Sequence, residues 1–280
     1  MAPIDDNALS WDDQVARMVD YIDHEGLPAQ LIAGLSALIP FSMATIFILR
    51  GQSRPICTFE NFPESVTRIG IENFVGGTYV LNPVYRAHLS GIDQGVYRLR
   101  DLAPDDYFSS GFTETHKVIE VADEEIAHLT EGWPRGFEEL VLAVPIDDVT
   151  IEIDLYRRYK DGGFSQGDIE NLSSRMPVIG AITRKFWQLH SDKLAPNPRD
   201  NSINDIYDGF GADVLTRRER EVIQYVLRGH SSGSIALNLD ISVTTIKTHR
   251  KRAYSKLNIS SQSELFSMFL NCAKANFGSY

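Results

Sequence analysis

Basic and small polar side chains recur at helical spacing between residues 244 and 255. Because a helix turns by about 100° per residue, five of them share one side: Thr244, Lys247, Thr248, Lys251 and Ser255. Lysine ammonium groups can donate to guanine O6 and N7 or to phosphates, and threonine methyl groups can contact thymine. The spacing therefore favours a helix that enters the major groove of DNA, although a solvated charged face would show the same spacing.

The opposite side of this helix carries the residues that we expect to pack: Ile246, His249, Ala253 and Leu257. Arg250 and Arg252 fall near the edges between the two sides. We count Arg250 among the expected DNA contacts.

Three further helices are predicted around this one. Thr216 and Glu219 form a capping box that can start the first helix, and Gly229 is a natural residue to end that helix. Ser231 or Ser232 can cap a second helix, and a short link leads to Ser242, which can cap the third. A second capping box, Ser261 with Glu264, opens the last helix. The prediction is a four-helix module with a tight turn between its second and third helices.

Charge divides the chain into two unlike parts. Residues 214–280 contain ten Lys/Arg and four Asp/Glu, a net charge of +6, whereas residues 1–213 have a net charge of −17. A cationic helical module on an acidic body indicates that the module meets a polyanion while the body does something else.

The module resembles the LuxR/NarL-type (FixJ-type) helix-turn-helix domain over about 55 residues in register. The segments that carry the resemblance are Leu215-Thr216-Arg218-Glu219, Glu221-Val222, Gly229, Ile235-Ala236, Leu239, Ile241-Ser242, Thr245-Ile246-Lys247-Thr248-His249 and Lys256-Leu257. The resemblance implies that Lys247, Thr248 and Lys251 read bases or adjacent phosphates and that Thr244 faces a phosphate. It also implies dimerisation through the last helix, from Ser263 to Cys272, with the apolar residues Leu265, Phe266, Met268 and Phe269.

Two positions depart from the family pattern. Gly233-Ser234 stands where the second helix usually opens with lysine and glutamate, and Gln262 stands where the last helix usually begins with arginine. Both changes remove charge near the expected phosphate path. We therefore expect a lower sequence-independent affinity for DNA than is usual in the family.

The first 195 residues are predicted to form an α+β sensor sandwich of the PAS/GAF type, an antiparallel sheet with flanking helices. Residues 196–211 are predicted to be a linker and residues 212–275 the all-α domain. Helices are predicted near Ser10–His24 and Pro28–Ile39, and a long one that starts at the Ser165 cap and bends at Pro177 on its way to His190. Five strands are predicted: Phe41–Leu49, Pro55–Phe59, Val96–Leu102, Glu139–Ile146 and Val149–Tyr156, the last two forming a hairpin about Asp147-Asp148.

Leu31–Leu49 has no charge for nineteen residues. Pro40 splits it where helical spacing changes to strand spacing, which favours a buried helix and strand over a membrane span. No basic segment opens the chain as in a signal peptide, and Cys57 and Cys272 are isolated in different domains. These features predict a cytoplasmic protein that is not in a membrane.

The most distinctive stretch of the first domain runs from Tyr79 to Pro104. Its first part, Tyr79–Ala87, resembles the tyrosine and aspartate-proline region of acyl-homoserine-lactone receptors, with Asn82 where their ligand-holding aspartate would be. The whole stretch also resembles one found in proteobacterial solo regulators. The resemblance implies a sensor tuned to a different small molecule. The candidate ligand-binding residues are Tyr79, Asn82, Tyr85, Tyr97, Arg98 and Trp133. As alternatives, the tyrosines are ordinary core edges, Arg98 and Arg100 pair with nearby acids, and Trp133 is a plain loop residue.

Enzyme signatures are weak. His116 and Glu120 could share a helical face as metal ligands, but acid-rich solvated helices produce such spacings often. No phosphate-binding lysine loop and no GxSxG elbow occur. We therefore expect no enzyme activity, no cofactor and no metal ion.

Together these observations favour a dimeric, sequence-specific transcription regulator. Its expected partners are double-stranded DNA, a small-molecule effector, a second copy of the chain and RNA polymerase. The alternative keeps the DNA-binding role but makes the first domain a ligand-free interaction and dimerisation module.

Overall fold

The structure is a computed structural model of the 280-residue chain, and it describes residues 9–102, 136–194, 203–228, 230 and 232–277. The elements of the N-terminal region are α1 (Trp11–Asp20), α2 (Leu27–Ser36), β1 (Met43–Arg50), β2 (Ile56–Glu60), α3 (Glu64–Val75), α4 (Pro83–Leu89), β3 (Gly95–Arg98), α5 (Leu99–Leu102), β4 (Phe137–Ile146), β5 (Val149–Arg158), α6 (Gln166–Ser173) and α7 (Met176–His190). The C-terminal region contains α8 (Ile203–Gly209), α9 (Arg217–Leu227), α10 (Ser232–Leu239), α11 (Val243–Leu257) and α12 (Gln262–Phe277). Two 3-10 turns, Thr78–Leu81 and Tyr159–Asp161, follow α3 and β5.

The five strands form one antiparallel sheet in the order β2-β1-β5-β4-β3. The predicted β4–β5 hairpin is present, and Asp147 takes the positive φ of 52° that a tight turn requires. β5 lies at the centre of the order and is paired along its whole length, because β1 and β4 flank it. Whether a side chain of β5 is buried therefore depends on the elements that pack on its face of the sheet.

One face of the sheet is apolar and lies under helices α1, α2, α6 and α7. Its core contains Ile46, Leu142 and Ile153 from the sheet, with Leu35 and Ile179 from the helices. The strands alternate, so every second residue contributes to this face. This layer is the ordinary hydrophobic core that the strand and helix periodicities predict.

The second face lies under α3, the 78–81 turn and α4. Phe47 and Val141 from the sheet pack with Phe74, Tyr79 and Tyr85 from this cover. The same apolar cluster continues into the C-terminal region through Tyr207 and Phe269 among others. The second face of the sheet is thus buried beneath α3, the 78–81 turn and α4, and its apolar core is continuous with residues of α8 and α12.

The predicted α+β class of the N-terminal region is confirmed as an antiparallel five-stranded sheet with helices, and the C-terminal region is helical. The uncharged stretch from Leu31 to Leu49 is divided between α2 and β1, as predicted. No helix in the described ranges is long and apolar enough to cross a membrane. The long helix predicted after Ser165 is two helices, because Pro177 lies in the first turn of α7, where proline suits a helix start.

The predicted linker needs a correction. Residues 195–202 lie outside the described ranges, but α8 occupies Ile203–Gly209, where an unstructured connection was expected. Ile206 and Tyr207 of α8, with Phe210 directly after it, are buried and pack in the core that includes Phe269. Three apolar residues at this spacing are too few to show helical periodicity in a polar sequence.

Candidate functional site

Helix α11 is fixed at both ends by local chemistry. The Ser242 side chain accepts from the Thr245 backbone N–H at 3.1 Å, which confirms the predicted cap. Asn258 ends the helix in the left-handed conformation with φ of 56°. Before the helix, Asp240 has φ of 51°, and the Ile241 N–H donates to the Ala236 carbonyl at 3.1 Å. These bonds set the tight turn between α10 and α11.

The two sides of α11 are separated as the spacing predicts. Ile246 and Ala253 are fully buried, and His249 and Leu257 are half-buried. The opposite side is exposed along the length of the helix, and it presents Thr244, Lys247, Thr248, Lys251 and Ser255 to solvent. We call these five residues the open face of α11.

Arg250 differs from the other predicted DNA-binding residues. It is half-buried, and its guanidinium carbon lies 5.7 Å from the centre of the Tyr254 ring. Its stem is therefore part of the packing on this side of α11, whereas the lysines at 247 and 251 are exposed.

Other cations of the C-terminal region hold its helices together. The Lys256 ammonium donates to the buried Glu219 carboxylate at 2.7 Å, which joins α11 to α9. The Arg218 guanidinium donates to the Glu221 carboxylate at 2.7 Å and to the Leu239 carbonyl at 2.9 Å, which joins α9 to the end of α10. These side chains orient the open face of α11 through the helices that they connect.

Glu219 carries a pH-dependent part of this scaffold. Burial raises the pKa of Glu219, but the hydrogen bonds from Lys256 and Thr216 outweigh burial and hold that pKa at about 2. Because the folded-state pKa is lowered, the stabilisation is present above the ordinary value of 4.5 and is lost as the pH falls towards 2.

We expect Glu219→Gln to lower the stability of the C-terminal region by roughly 1–3 kcal/mol at pH 7, the usual worth of a hydrogen bond to a charged group. Thermal unfolding followed between pH 7 and pH 2.5 should show a smaller acid-induced loss in the variant than in the parent chain. A double-mutant cycle with Lys256→Met isolates the ion pair. Equal acid sensitivity of parent and variant would show that the pair does not stabilise the fold.

The residues predicted to form a dimerisation surface on α12 differ in burial. Leu265 and Phe269 are fully buried in the core of their own chain, so the prediction that they contact a partner is corrected. Phe269 stacks on Tyr207 at 4.7 Å between ring centres and meets Phe210 edge-on at 5.4 Å. Met268 is half-buried against the same core, and the side chain of Phe266 is outside what the structure describes.

Two of the predicted ligand residues lie together beneath the second face of the sheet. Tyr79 and Tyr85 are buried, and their rings meet edge-on at 4.9 Å. Neither hydroxyl has a hydrogen-bond partner among the described residues. Asn82 is also buried, but its side-chain oxygen accepts from the Val84 backbone N–H at 2.7 Å and caps α4. Its role in the structure is therefore to start a helix.

Tyr97 and Arg98 cannot belong to one site, because alternation along β3 places them on opposite faces of the sheet. Arg98 forms an ion pair with Glu138 and donates to the Phe164 carbonyl at 2.6 Å. The predicted ligand clamp at Arg98 is therefore wrong, and pairing with a nearby acid is the correct alternative. Arg100 is exposed beside Asp101 at 3.8 Å. Trp133, His116 and Glu120 lie outside the described residues.

Sequence analysis missed an acidic cluster on the second face of the sheet. Glu139, Glu152 and Asp154 each offer a carboxylate oxygen, and these oxygens lie within 4.8 Å of one another. Glu152 and Asp154 are each only 1 % exposed. We call these three residues the carboxylate cluster.

The carboxylate cluster is incompletely satisfied. Thr45 donates its hydroxyl to Asp154 at 2.8 Å, and Tyr156 supports Glu139 with its hydroxyl. Both oxygens of Glu152 and the second oxygen of Asp154 lack a donor among the described residues. Burial, followed by the repulsion of neighbouring acids, raises the pKa of Glu152 well above its ordinary range, and burial raises that of Asp154 to about 7. Two such carboxyls can share a proton when no cation is present.

The sequence of β5 places two of these acids on one face of the strand, but it does not show whether that face is buried. β5 alternates the apolar Val149, Ile151 and Ile153 with Thr150, Glu152 and Asp154. In an antiparallel strand, such a pattern ordinarily marks a polar face in water. The cover formed by α3, α4 and the 78–81 turn makes that face an interior.

The second face of the sheet is also connected to the C-terminal region. The Arg228 guanidinium at the end of α9 lies 4.9 Å from the centre of the Tyr207 ring. Burial raises the pKa of Tyr85, neighbouring Tyr207 raises it further, and Arg228 lowers it. Tyr85 of α4 and Tyr207 of α8 are thus neighbours, so the cover of the sheet touches the helices that carry the open face of α11.

Comparison with known proteins places this architecture. Residues 213–269 match the GerE family, described as bacterial regulatory proteins, luxR family. The monoamine regulon transcriptional regulator of Klebsiella aerogenes is 41% identical over 246 residues, which cover 87% of this chain and 90% of the relative. An HTH-type transcriptional regulator in the exeN 3′ region of Aeromonas salmonicida is 34% identical over 148 residues, 50% of this chain and 74% of the relative.

A solved structure, the VqsR LBD domain from Pseudomonas aeruginosa, covers 64% of this chain and 96% of its own, with a TM-score of 0.48 at 17% sequence identity. The two transcriptional regulators carry the assignment, because the alignment with the Klebsiella protein spans nearly all of both chains. The chain belongs to the LuxR family of bacterial regulatory proteins and is a transcription regulator, not an enzyme.

Proposed function

We propose that this chain is a sequence-specific DNA-binding regulator whose N-terminal region binds a small-molecule effector that controls it. The observation that carries the proposal is the open face of α11, with Lys247 and Lys251 exposed on a helix whose other side is buried. A helix presented in this way can enter the major groove of DNA. Lys247, Thr248 and Lys251 would contact bases or adjacent phosphates, and Thr244 would face a phosphate.

The N-terminal region supports control by a small molecule. The buried hydroxyls of Tyr79 and Tyr85 and the carboxylate cluster are polar groups in an interior, where polar groups are normally hydrogen-bonded. An interior that leaves several such groups without donors or acceptors is suited to a ligand that supplies them. The Klebsiella relative is named for a monoamine regulon, which agrees with control by a small molecule.

A continuous set of ring contacts offers a route from the sheet to the DNA-binding helices. Phe47 and Phe74 are 4.7 Å apart between ring centres, and Phe74 and Tyr79 are 6.5 Å apart. Tyr79 contacts Tyr85, which neighbours Tyr207 and through it Phe269 of α12. We propose that a ligand on the second face shifts this packing and changes how α11 is presented to DNA.

Dimerisation and contact with RNA polymerase complete the proposal. Two copies are expected, since one recognition helix reads too few base pairs to specify a site and half-sites require two. With Leu265 and Phe269 committed to the core of their own chain, Met268 and Phe266 remain the candidate contacts on α12.

The proposal is tested by selecting DNA sequences bound by the full chain from a random duplex library. We expect a defined sequence with two half-sites to be enriched. Its affinity should change when a small-molecule extract of bacterial cells is added. Unselective binding would overturn sequence specificity, and an operator affinity that no extract alters would favour a ligand-free interaction module.

A further inference from the structure

We propose that the carboxylate cluster binds the charged end of the effector, and that this effector is a primary organic amine with an aromatic or apolar body. This inference rests on the proposed function, because it names the chemical class of the ligand that would control the regulator.

The sheet register brings the three acids to one place. Phe47 of β1 lies opposite Glu152, and Thr45 lies opposite Asp154. On the other side of β5, Tyr156 lies opposite Glu139 of β4. Directly opposed residues in an antiparallel pair have neighbouring side chains on the same face. The cluster is therefore built into the paired centre of the sheet, on backbone that is held by both neighbouring strands.

The carboxylate cluster has no cationic partner among the described residues. None of the ion pairs among the described residues includes Glu139, Glu152 or Asp154, and the charged groups that influence their pKa values are one another. A buried carboxylate without a counter-charge is costly. A bound cation would remove this cost, so the site is suited to a positive ligand rather than to a neutral or anionic one.

The oxygens without donors match an ammonium group in number. They are Oε1 and Oε2 of Glu152 and one oxygen of Asp154, and a primary ammonium has three N–H donors. One carboxylate oxygen each from Glu139, Glu152 and Asp154 lies within 4.8 Å of the other two. Three oxygens at that separation can surround a central position at about 2.8 Å from each, which is the length of a charged N–H···O hydrogen bond. Metal ions need shorter distances, of about 2.0–2.6 Å, and more oxygen ligands.

The surroundings of the cluster suit an apolar body. Phe47 lies beside Glu152 on the same face and packs against Phe74 of α3. Phe62 meets the Tyr156 ring edge-on at 5.4 Å next to Glu139. Aromatic faces attract an ammonium group and also supply contact area for its organic part. A hydrated metal ion would gain nothing from these rings, which favours an organic cation.

The test measures thermal unfolding of the full chain with matched probes. The probes are 2-phenylethylamine and n-hexylamine, the corresponding alcohols and carboxylates, and the chlorides of Mg²⁺, Mn²⁺ and Ca²⁺. We expect an amine to raise the Tm by a few degrees at concentrations well above its Kd, and the other probes to leave it unchanged.

Three variants separate binding from folding. Glu152→Gln should lose the amine-induced shift while its ligand-free Tm stays equal or rises, because an uncompensated buried acid is removed. Asp154→Asn serves as a second variant if Glu152→Gln does not fold. Glu170→Gln, an exposed acid on α6, is the matched control and should keep the full shift. A residue that merely supported the fold would lower the ligand-free Tm when replaced.

Several results would overturn the inference. It is wrong if no amine shifts the Tm, if an alcohol or a carboxylate stabilises as well as the amine, if a divalent metal alone does so, or if Glu152→Gln responds like the parent chain. A further experiment distinguishes failure of this inference from failure of the proposed function. A small-molecule extract of bacterial cells is passed over a cation-exchange resin, and each fraction is tested for stabilisation of the chain. Stabilising activity that stays in the unretained fraction would refute the amine and leave control by a ligand intact.

Discussion

Replacing both Lys247 and Lys251 with alanine is expected to weaken operator binding by roughly 2–5 kcal/mol. Each lysine contact with a base edge or phosphate in the groove is worth about 1–3 kcal/mol. The two residues are one helical turn apart and share the open face of α11, so their contributions need not add fully. Because both side chains are exposed, the variant should fold like the parent chain. Fluorescence anisotropy with a labelled operator duplex measures the loss.

A salt titration of the operator complexes of the single variants Lys247→Ala and Lys251→Ala assigns the contact made by each lysine. Loss of a phosphate contact should reduce the slope of log K against log salt by about 1 and weaken binding to all sequences alike. Loss of a base contact should leave the slope and relax specificity at one position. Lys185→Ala, an exposed cation on α7, is the control and should bind as the parent does. Unchanged operator affinity in the double variant would show that the open face of α11 does not meet DNA.

The C-terminal region was predictable because its determinants are local. The Thr216 capping box acts within the first turn of α9, and the Ser242 cap directly precedes α11 and bonds within its first turn. The buried and exposed sides of α11 follow from its spacing alone. A short sequence window therefore contains the information that places Lys247 and Lys251.

The carboxylate cluster was not predictable in this way. The alternation of β5 shows that Glu152 and Asp154 share a face, but not whether that face is covered. Cover comes from α3 and α4, which lie about 60 or more residues away along the chain. The same limit applies to Arg98, whose partner Glu138 sits on another strand. Interior polar sites depend on tertiary packing that periodicity does not encode.

Helix α12, which was predicted to form a dimer interface, shows a second limit of sequence analysis. Sequence identified α12 as too apolar for a solvated helix, but it could not divide the apolar residues between the chain's own core and a partner. The deciding neighbours are Tyr207 of α8 and Phe210, the residue after α8, and both lie in the stretch that was predicted to be a linker. When that stretch is read as a linker, the sequence offers Phe269 no partner in its own chain, and an interface is the remaining interpretation.

Phe269→Ala is expected to destabilise the C-terminal region by about 3–5 kcal/mol, the usual cost of truncating a buried phenylalanine. The ring is fully buried and stacks on Tyr207 while it meets Phe210 edge-on, so alanine would remove both ring contacts and leave a cavity. Urea unfolding followed by circular dichroism measures the change. Hydrogen exchange should show the loss of protection in α8 together with α12.

Asn271→Ala is the matched control for this variant, because Asn271 is exposed on the same helix and surface changes usually stay within about 0.5 kcal/mol. Analytical ultracentrifugation then separates a core role from an interface role. If Phe269 closes the core of its own chain, the variant should be less stable but associate as the parent does while it remains folded. Parent-like stability combined with a dissociated dimer would instead place Phe269 at the interface, and the stacking on Tyr207 would not describe the protein in solution.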